Sequence, residues 1–348
     1  MNIGNCKLRN AGGRAFLLVA CLLLGSRLLA QTQLEEPKDN MDGVKSFDIS
    51  LNKVFDVEMK KDAVTYYKKA GTIAHTKYEY DTNGNEILQN YYHQETGKVQ
   101  ESYVYEYDNN NRRISELYVV QGVAFGGKVT YSYNKQGKIE QRISYSNKNE
   151  QQATLVYRYD SLGNLTAELT YNTVYMVIKE LQYKYDERGN RIEKRGVKSP
   201  YFGGINFVES YSYDDFNRLI GKEYYSENDS LNWRYSAKYD AKSRLVEEET
   251  KDGTGKPISY ATYTYDKDGK LLSSYNYDIV QKTPPMRIEH EYNKQGQNTV
   301  RYIYVQGAKT PTITKRYYYD EKGNWIMWYE HNHVENEHVI VNRKITYF

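Results

Sequence analysis

Aromatic side chains are the part of this sequence best suited to bind a ligand. The chain has 39 tyrosines against 8 phenylalanines, together with 3 tryptophans. Aromatic rings presented in rows can stack on sugar rings or on an extended peptide, and the phenol adds a hydrogen-bonding group. The residues predicted to contact a ligand are Trp233, Tyr224, Tyr225, Trp325, Trp328 and Tyr329. These aromatics favour a glycan as the ligand, with another envelope protein as the alternative partner.

The same aromatics also fit a purely structural interpretation. Tyrosines spaced two residues apart are ordinary packing residues of a strand. Trp325 and Trp328 lie near the end of the chain, where a terminal repeat needs bulky side chains to cover its end. The preference for tyrosine over phenylalanine argues for a partly wet surface, because a buried phenol needs a partner for its hydroxyl.

Histidine is concentrated at His331, His333 and His338. A zinc site needs three or four ligands that converge in space. His331 and His333 share a face if a strand continues through them, but neighbouring Glu335 and Glu337 fit surface charges equally well. We therefore expect exposed histidines at an edge, and we predict neither a metal nor another cofactor.

Several loops contain parts of known sites without completing them. Residues 81–84 and 266–269 resemble fragments of calcium loops but lack the remaining oxygen ligands. Residues 253–256 end like a phosphate-binding loop, yet Pro257 follows where Ser or Thr and a helix are needed. The sequence has no G-x-S-x-G or H-E-x-x-H motif. We therefore predict a protein without enzymatic activity.

Most of the chain consists of a short repeat that must position these residues. Each copy has two residues, usually tyrosines, separated by one that is nearly always polar, then Asp or Asn, and three positions later usually Gly. The Asp or Asn falls at 81, 108, 134, 160, 186, 214, 240, 266, 293 and 320, in steps of 26 to 28 residues. A spacing of two puts both rings on one face of a strand and leaves the other face wet.

Each copy ends in the signal for a tight turn. The Asp accepts bonds from turn amides, and where Gly is missing the position holds Asn111, Asn217 or Ser243. An apolar residue such as Ile87 or Leu165 then begins a return strand. One hairpin cannot offset the entropy of its own ordering, so neighbouring hairpins must pair edge to edge. We predict an all-β fold, with tandem hairpins forming one continuous coiled antiparallel sheet of about twenty strands.

The consensus Y-x-Y-D-x-x-G-[NRK]-[LI] resembles the YD repeat of the Rhs family of bacterial surface and toxin-shell proteins. The similarity covers about residues 76–348, in about ten copies. It implies strand pairs within a long spiralling sheet. Toxin-enclosing members also carry many more repeats, a core segment with a self-cleavage site and a toxin domain. This chain ends at Phe348, directly after an in-phase strand, and so resembles a short repeat-only member.

The first thirty residues predict a secretory signal peptide. Basic residues precede an apolar run over 15–24, and Ala30 followed by Gln31 fits a cleavage site. The run is shorter than the roughly 20 residues that span a bilayer, so we expect no membrane span after leader removal. The alternative is lipid attachment at Cys21, although the apolar run continues past it. Either route leads to the periplasm, the outer-membrane surface or the extracellular space.

The remaining boundaries follow from composition. Residues 31–43 read as a flexible polar linker, 44–75 as N-terminal capping strands and 76–348 as the repeats. Longer segments at 122–128, 196–206, 251–257 and 278–286 join the repeats, and such loops are where specificity would lie. Both cysteines, Cys6 and Cys21, belong to the leader, so no disulfide staples the repeats.

Charge argues against a nucleic-acid partner. Without the leader the chain has 44 basic and 45 acidic residues, so there is no basic excess to bind phosphates. The leading hypothesis is an exported, non-enzymatic protein of the envelope or surface that binds a ligand through the tyrosine-rich sheet face or the joins. The alternative is a structural or protein-interaction scaffold, or part of an Rhs-type shell or secretion assembly. An outer-membrane barrel is a third interpretation, disfavoured because its lipid-facing side should be an apolar band.

Overall fold

The computed structural model describes residues 41–60, 63–120, 123–197, 199, 203 and 206–348. The predicted leader, with Cys21, Ala30 and Gln31, and the predicted linker up to residue 40 lie outside them. The described chain is all-β, as the repeat predicts, and forms one antiparallel sheet of 22 strands. The described residues contain no apolar helix long enough to cross a membrane.

The strands follow the repeat along the chain. In order they are β1 Val44–Lys60, β2 Ala63–Tyr80, β3 Glu86–Tyr92, β4 Val99–Tyr107, β5 Arg113–Val120, β6 Val123–Tyr133, β7 Ile139–Tyr145, β8 Gln151–Tyr159, β9 Leu165–Tyr171, β10 Val177–Tyr185, β11 Arg191–Val197, β12 Phe207–Tyr213, β13 Leu219–Tyr225, β14 Leu231–Tyr239, β15 Leu245–Asp252, β16 Pro257–Tyr265, β17 Leu271–Asp278, β18 Thr283–Tyr292, β19 Asn298–Val305, β20 Ile313–Tyr319, β21 Trp325–Asn332 and β22 Glu337–Tyr347. Each strand pairs with the next, so the sheet is an up-and-down meander.

The repeat turns share one hydrogen-bonding pattern. The Asp240 amide donates to the Arg244 carbonyl over 2.9 Å, and the Ser243 amide donates to the Asp240 carbonyl over 3.0 Å. The Asp240 carboxylate accepts from the amides of Lys242 and Arg244, each over 2.9 Å. Ser243 has a φ of 63°, and Asn111, at the same position of its repeat, has 59°. The predicted turn is confirmed, and its left-handed residue explains the choice of Gly, Asn or Ser.

The sheet closes on itself. β1 pairs with β2 on one side and with β22 on the other, from Val44 opposite Tyr347 to Val54 opposite His338. The predicted continuous antiparallel sheet is confirmed, but it forms a closed barrel instead of an open coil. Closure pairs the backbone groups of both end strands, which a coil would leave open.

Apolar side chains pack the seam between the first and last strands. One buried cluster consists of Leu51, Trp325, Val339 and Val341. A second consists of Val44, Phe47 and Tyr78. Alternate residues of β1, at positions 47, 49 and 51, thus supply the side chains that β22 meets. Their burial favours closure, because each large apolar side chain removed from water contributes about 1.5–3 kcal/mol.

The sheet has two chemically different sides. We call the side that carries the paired tyrosines the tyrosine face, and the other side the opposite face. Between paired tyrosines the opposite face presents exposed side chains such as Glu106, Arg158 and Lys238. Each hydrophobic cluster found in the described residues lies within strands that neighbour one another in the sheet. The wall of the barrel is therefore one sheet thick, with no second sheet of described residues packed on either side.

The opposite face changes character in the later repeats. Tyr275 and Tyr304 lie there on either side of Arg287, across β17, β18 and β19. Tyr260 and Tyr277 form a further pair on this face, with ring centroids 6.1 Å apart. The opposite face is thus aromatic in β16–β19, where the repeat pattern predicts a wet surface.

Candidate ligand-binding face

The second tyrosine of each pair binds the preceding repeat. The Tyr159 hydroxyl donates to the Ile139 carbonyl over 2.8 Å, and the Tyr239 hydroxyl donates to the Leu219 carbonyl over 3.0 Å. The same bond joins Tyr107 to Glu86, Tyr133 to Arg113, Tyr185 to Leu165, Tyr213 to Arg191, Tyr265 to Leu245, Tyr292 to Leu271 and Tyr319 to Asn298.

The position of these carbonyls explains why the residue is tyrosine. The β7–β8 ladder ends at Gln141 opposite Val156, so the Ile139 carbonyl lies beyond it. The phenol of Tyr159 reaches that carbonyl, which phenylalanine cannot do. The second tyrosine is therefore a structural link between repeats.

A cation from the preceding turn covers the ring of the same tyrosine. The pairs are Arg112 over Tyr133 at 4.6 Å, Arg218 over Tyr239 at 4.8 Å and Arg244 over Tyr265 at 4.8 Å from guanidinium carbon to ring centroid. A ring face occupied by a guanidinium is not free to stack on a sugar. A ligand that approaches the tyrosine face must use other rings.

The first tyrosine of a pair meets carboxylates instead of carbonyls. The Tyr183 hydroxyl donates to Glu168 over 2.8 Å, and the Tyr263 hydroxyl donates to Glu248 over 2.6 Å. Glu248 also accepts from Tyr235 over 2.9 Å. Burial, followed by the bond to the carboxylate, raises the pKa of the Tyr183 and Tyr263 hydroxyls, which stay neutral donors. This arrangement supplies fixed hydrogen-bonding groups and no activated nucleophile.

Half-buried charged side chains lie between the rings of the tyrosine face. Burial raises the pKa of Glu86 to about 7, against the opposing effect of Arg113. The Arg113 guanidinium lies 4.0 Å from the Tyr105 ring centroid. The face is therefore polar between its rings and suits a ligand rich in hydroxyl groups.

Two of the predicted site residues, Trp233 and Tyr224, join an unpredicted third in a row. The rings of Tyr224 and Trp233 are 5.7 Å apart and inclined by 4°, and those of Phe207 and Tyr224 are 5.5 Å apart and inclined by 24°. All three are half-buried on the tyrosine face of β12, β13 and β14. We call Phe207, Tyr224 and Trp233 the aromatic row. Tyr225 points to the opposite face, where its hydroxyl donates to Glu223 over 2.6 Å.

The three predicted residues near the chain's end lie at the seam and do not form one surface. Trp325 is 4% exposed in the cluster with Leu51, and Tyr329 is 2% exposed on the other side of the sheet. The half-buried Trp328 ring lies 3.8 Å below the Lys315 ammonium. Within the predicted set, Tyr224 and Trp233 are therefore the two half-buried rings that stack on each other.

The three late histidines gather at the β21–β22 hairpin. The His331 ring centroid lies 4.0 Å from that of His333 and 4.2 Å from that of His338. Tyr329 and His338 share a 2.8 Å hydrogen bond through the phenol and Nδ1. Burial, with the proximity of His331, lowers the pKa of both His333 and His338. In the described part of the chain, no group of three or more metal-binding side chains is placed to hold an ion.

No family model and no curated protein matches this sequence. Among solved structures, the chain is similar to TcdB2-TccC3-Cdc42 at 13% identity, over 83% of this chain and 19% of that one, with a TM-score of 0.33. It is similar to the Photorhabdus luminescens Tc holotoxin pore at 12% identity, over 76% of this chain and 17% of that one, with a TM-score of 0.30. The chain thus spans about a fifth of these toxin chains.

A porin-like protein from Bacteroides uniformis is also similar, at 10% identity over 86% of this chain and 97% of that one, with a TM-score of 0.27. These similarities are too distant to assign a family or an activity. The relation to the Rhs family remains a prediction that depends on the repeat consensus.

Proposed function

We propose that this chain is an exported, non-enzymatic protein of the bacterial envelope or surface that binds glycan through its tyrosine face. The observation that carries the proposal is the aromatic row. Its three rings follow one another across three strands, half-buried in a single-layered wall, so no second layer of the sheet covers them.

Polar groups beside the aromatic row suit the hydroxyls of a sugar. The Lys194 ammonium lies 5.3 Å from the Phe207 ring centroid and 3.2 Å from a Glu209 carboxylate oxygen. Glu209 also accepts from the Tyr211 hydroxyl over 2.6 Å. Donors and acceptors therefore flank the rings, and this combination holds a sugar by stacking and by hydrogen bonds to its edge.

Fluorescence titration with a panel of neutral and acidic polysaccharides tests the proposal. Trp233 is part of the row, so a bound sugar should change its emission. We expect Tyr224→Ala, and Trp233→Ala measured by calorimetry because it lacks the fluorophore, each to weaken binding by about tenfold, or about 1.4 kcal/mol. Tyr175→Ala is the control, because Tyr175 is 74% exposed in a turn.

A panel that gives no response with any saccharide would overturn the glycan proposal and favour a scaffold. The hydrogen bonds of the second tyrosines support that alternative, because they link each repeat to the preceding one and so stabilise the sheet. A scaffold would bind a protein partner and leave the emission of Trp233 unchanged by sugars.

A further inference from the structure

A second cleft lies on the opposite face, away from the aromatic row. It has a volume of about 340 Å³ and is lined by Tyr275, Pro285, Arg287, Tyr304, Lys309 and the adjoining small residues. Pockets for small molecules occupy about 300–1,000 Å³, so one sugar unit is of suitable size. We call this site the join cleft, because it lies beside the β17–β18 and β19–β20 connections.

The backbone holds the walls of the join cleft in place. Tyr275 faces Arg287 across β17 and β18, and Arg287 faces Tyr304 across β18 and β19. The Gln306 amide donates to the Pro285 carbonyl over 2.8 Å, which ties the β19–β20 loop to β18. The cleft is therefore built into the register of three strands.

The charge of the lining favours an anion. Its ionisable groups, apart from the tyrosine phenols, are Arg287 and Lys309, and no carboxylate is among the lining residues. The Arg287 guanidinium lies 4.0 Å from the Tyr304 ring centroid and pairs with Glu289, outside the lining. Lys309 makes no ion pair among the described residues, so its charge is available to a ligand.

Beside these cations the cleft offers an aromatic surface. Tyr275 is 39% exposed, and Pro285 adds an apolar wall. A flat ring next to a cation matches a sugar that carries a carboxylate, because the pyranose stacks while the anion meets the ammonium.

We propose that the join cleft binds a hexuronate unit of an acidic polysaccharide. The inference rests on the proposed glycan-binding function and adds a second subsite with a stated ligand class. The pyranose lies against Tyr275, and the carboxylate meets Lys309 and the free edge of the Arg287 guanidinium. The aromatic row and the join cleft are on different sides of the wall and bind independently.

Calorimetric titration with trigalacturonate and with its methyl ester tests the inference, because the ester keeps the sugar rings and removes the negative charge. We expect trigalacturonate to bind at least about tenfold more tightly than the ester. Lys309→Gln and Tyr275→Ala should each reduce trigalacturonate affinity by about tenfold. Inorganic phosphate at equal concentration should not displace the sugar.

Two matched variants serve as controls. Lys267→Gln removes one exposed lysine from the β16–β17 turn, at the end of β17 that lies away from the β17–β18 connection, and Tyr145→Ala removes a tyrosine from the opposite face of β7. Neither should alter trigalacturonate binding. Equal binding of acid and ester, an equal loss with Lys267→Gln, or displacement by phosphate would overturn the inference.

The outcomes separate this inference from the function on which it rests. If neutral polysaccharides bind in a way that needs Trp233 while trigalacturonate does not bind, the join cleft is not a sugar site and the glycan function stands. If no saccharide binds at all, both proposals fail together.

Discussion

The two tyrosines of each repeat have different tasks, which their hydroxyl partners reveal. The second tyrosine, such as Tyr239, donates to a carbonyl of the preceding repeat and has its ring covered by a turn arginine. The first, such as Tyr263, donates to a carboxylate of the preceding repeat, and some first tyrosines are deeply buried, with Tyr183 7% and Tyr317 3% exposed. The paired tyrosines therefore hold the repeats together, whereas the proposed ligand contacts come from the aromatic row.

Replacing a second tyrosine by phenylalanine should weaken the fold. We expect Tyr239→Phe to lower the free energy of unfolding by about 0.5–1.5 kcal/mol, because the Leu219 carbonyl loses its 3.0 Å bond. Urea denaturation measures the change. Tyr175→Phe is the control, since its exposed hydroxyl makes no hydrogen bond in the structure. Equal stability of the two variants would show that the phenol bond contributes nothing.

At the scale of the element, one strand carries a substitution in its repeat signature. His290 of β18 takes the place of the first tyrosine and lies beside Arg301 of β19. Burial, with Arg301 as the second cause, lowers the pKa of His290 to about 4. Its Nδ1 is 3.1 Å from the Asn298 amide nitrogen, which suits the neutral ring as an acceptor.

This histidine should make stability depend on pH. The unfolded chain takes up a proton as the pH falls below about 6.5, whereas the folded chain resists until about pH 4. The contribution of His290 is therefore complete above about pH 6.5 and decreases as the pH falls toward 4. We expect the contribution of His290 to lower the urea midpoint between about pH 7.5 and pH 5, whereas Glu86, whose pKa is raised to about 7, raises the midpoint as the pH falls over the same range.

His290→Tyr restores the repeat signature and should reduce that fall. His333 and His338, whose pKa values are also lowered, should retain part of it. His93→Gln, at an exposed turn position, is the control and should leave the pH dependence as it is. An unchanged slope in His290→Tyr would exclude His290 as its source.

At the scale of the whole molecule, local features could be predicted and distant contacts could not. The turn around Asp240 follows from a few adjacent residues, so the sequence alone indicates it. Closure depends on Leu51 meeting Val341, at opposite ends of the repeats, and no local pattern reports that contact. The burial of Trp325 at the seam follows from the same closure.

The sequence likewise predicts only part of the candidate site. Trp233 and Tyr224 could be named from residue type, whereas Phe207 joins them only once β12, β13 and β14 are in register. Its one sequence signal is its position as an aromatic residue directly after the long 196–206 join. The sequence does not indicate the join cleft, although it predicts that the neighbouring 278–286 join carries specificity.

Cross-linking of β1 to β22 tests the central claim, which is that the sheet closes. Ser50 and Asn342 lie opposite each other across the seam, so Ser50→Cys with Asn342→Cys should form an intramolecular disulfide on mild oxidation. Cys6 and Cys21 are replaced by serine, and Ser50→Cys with Ser236→Cys on β14 is the control. We predict rapid cross-linking of the folded monomer for the seam pair and none for the control. A seam pair that cross-links no faster than the control, or only between molecules, would contradict closure.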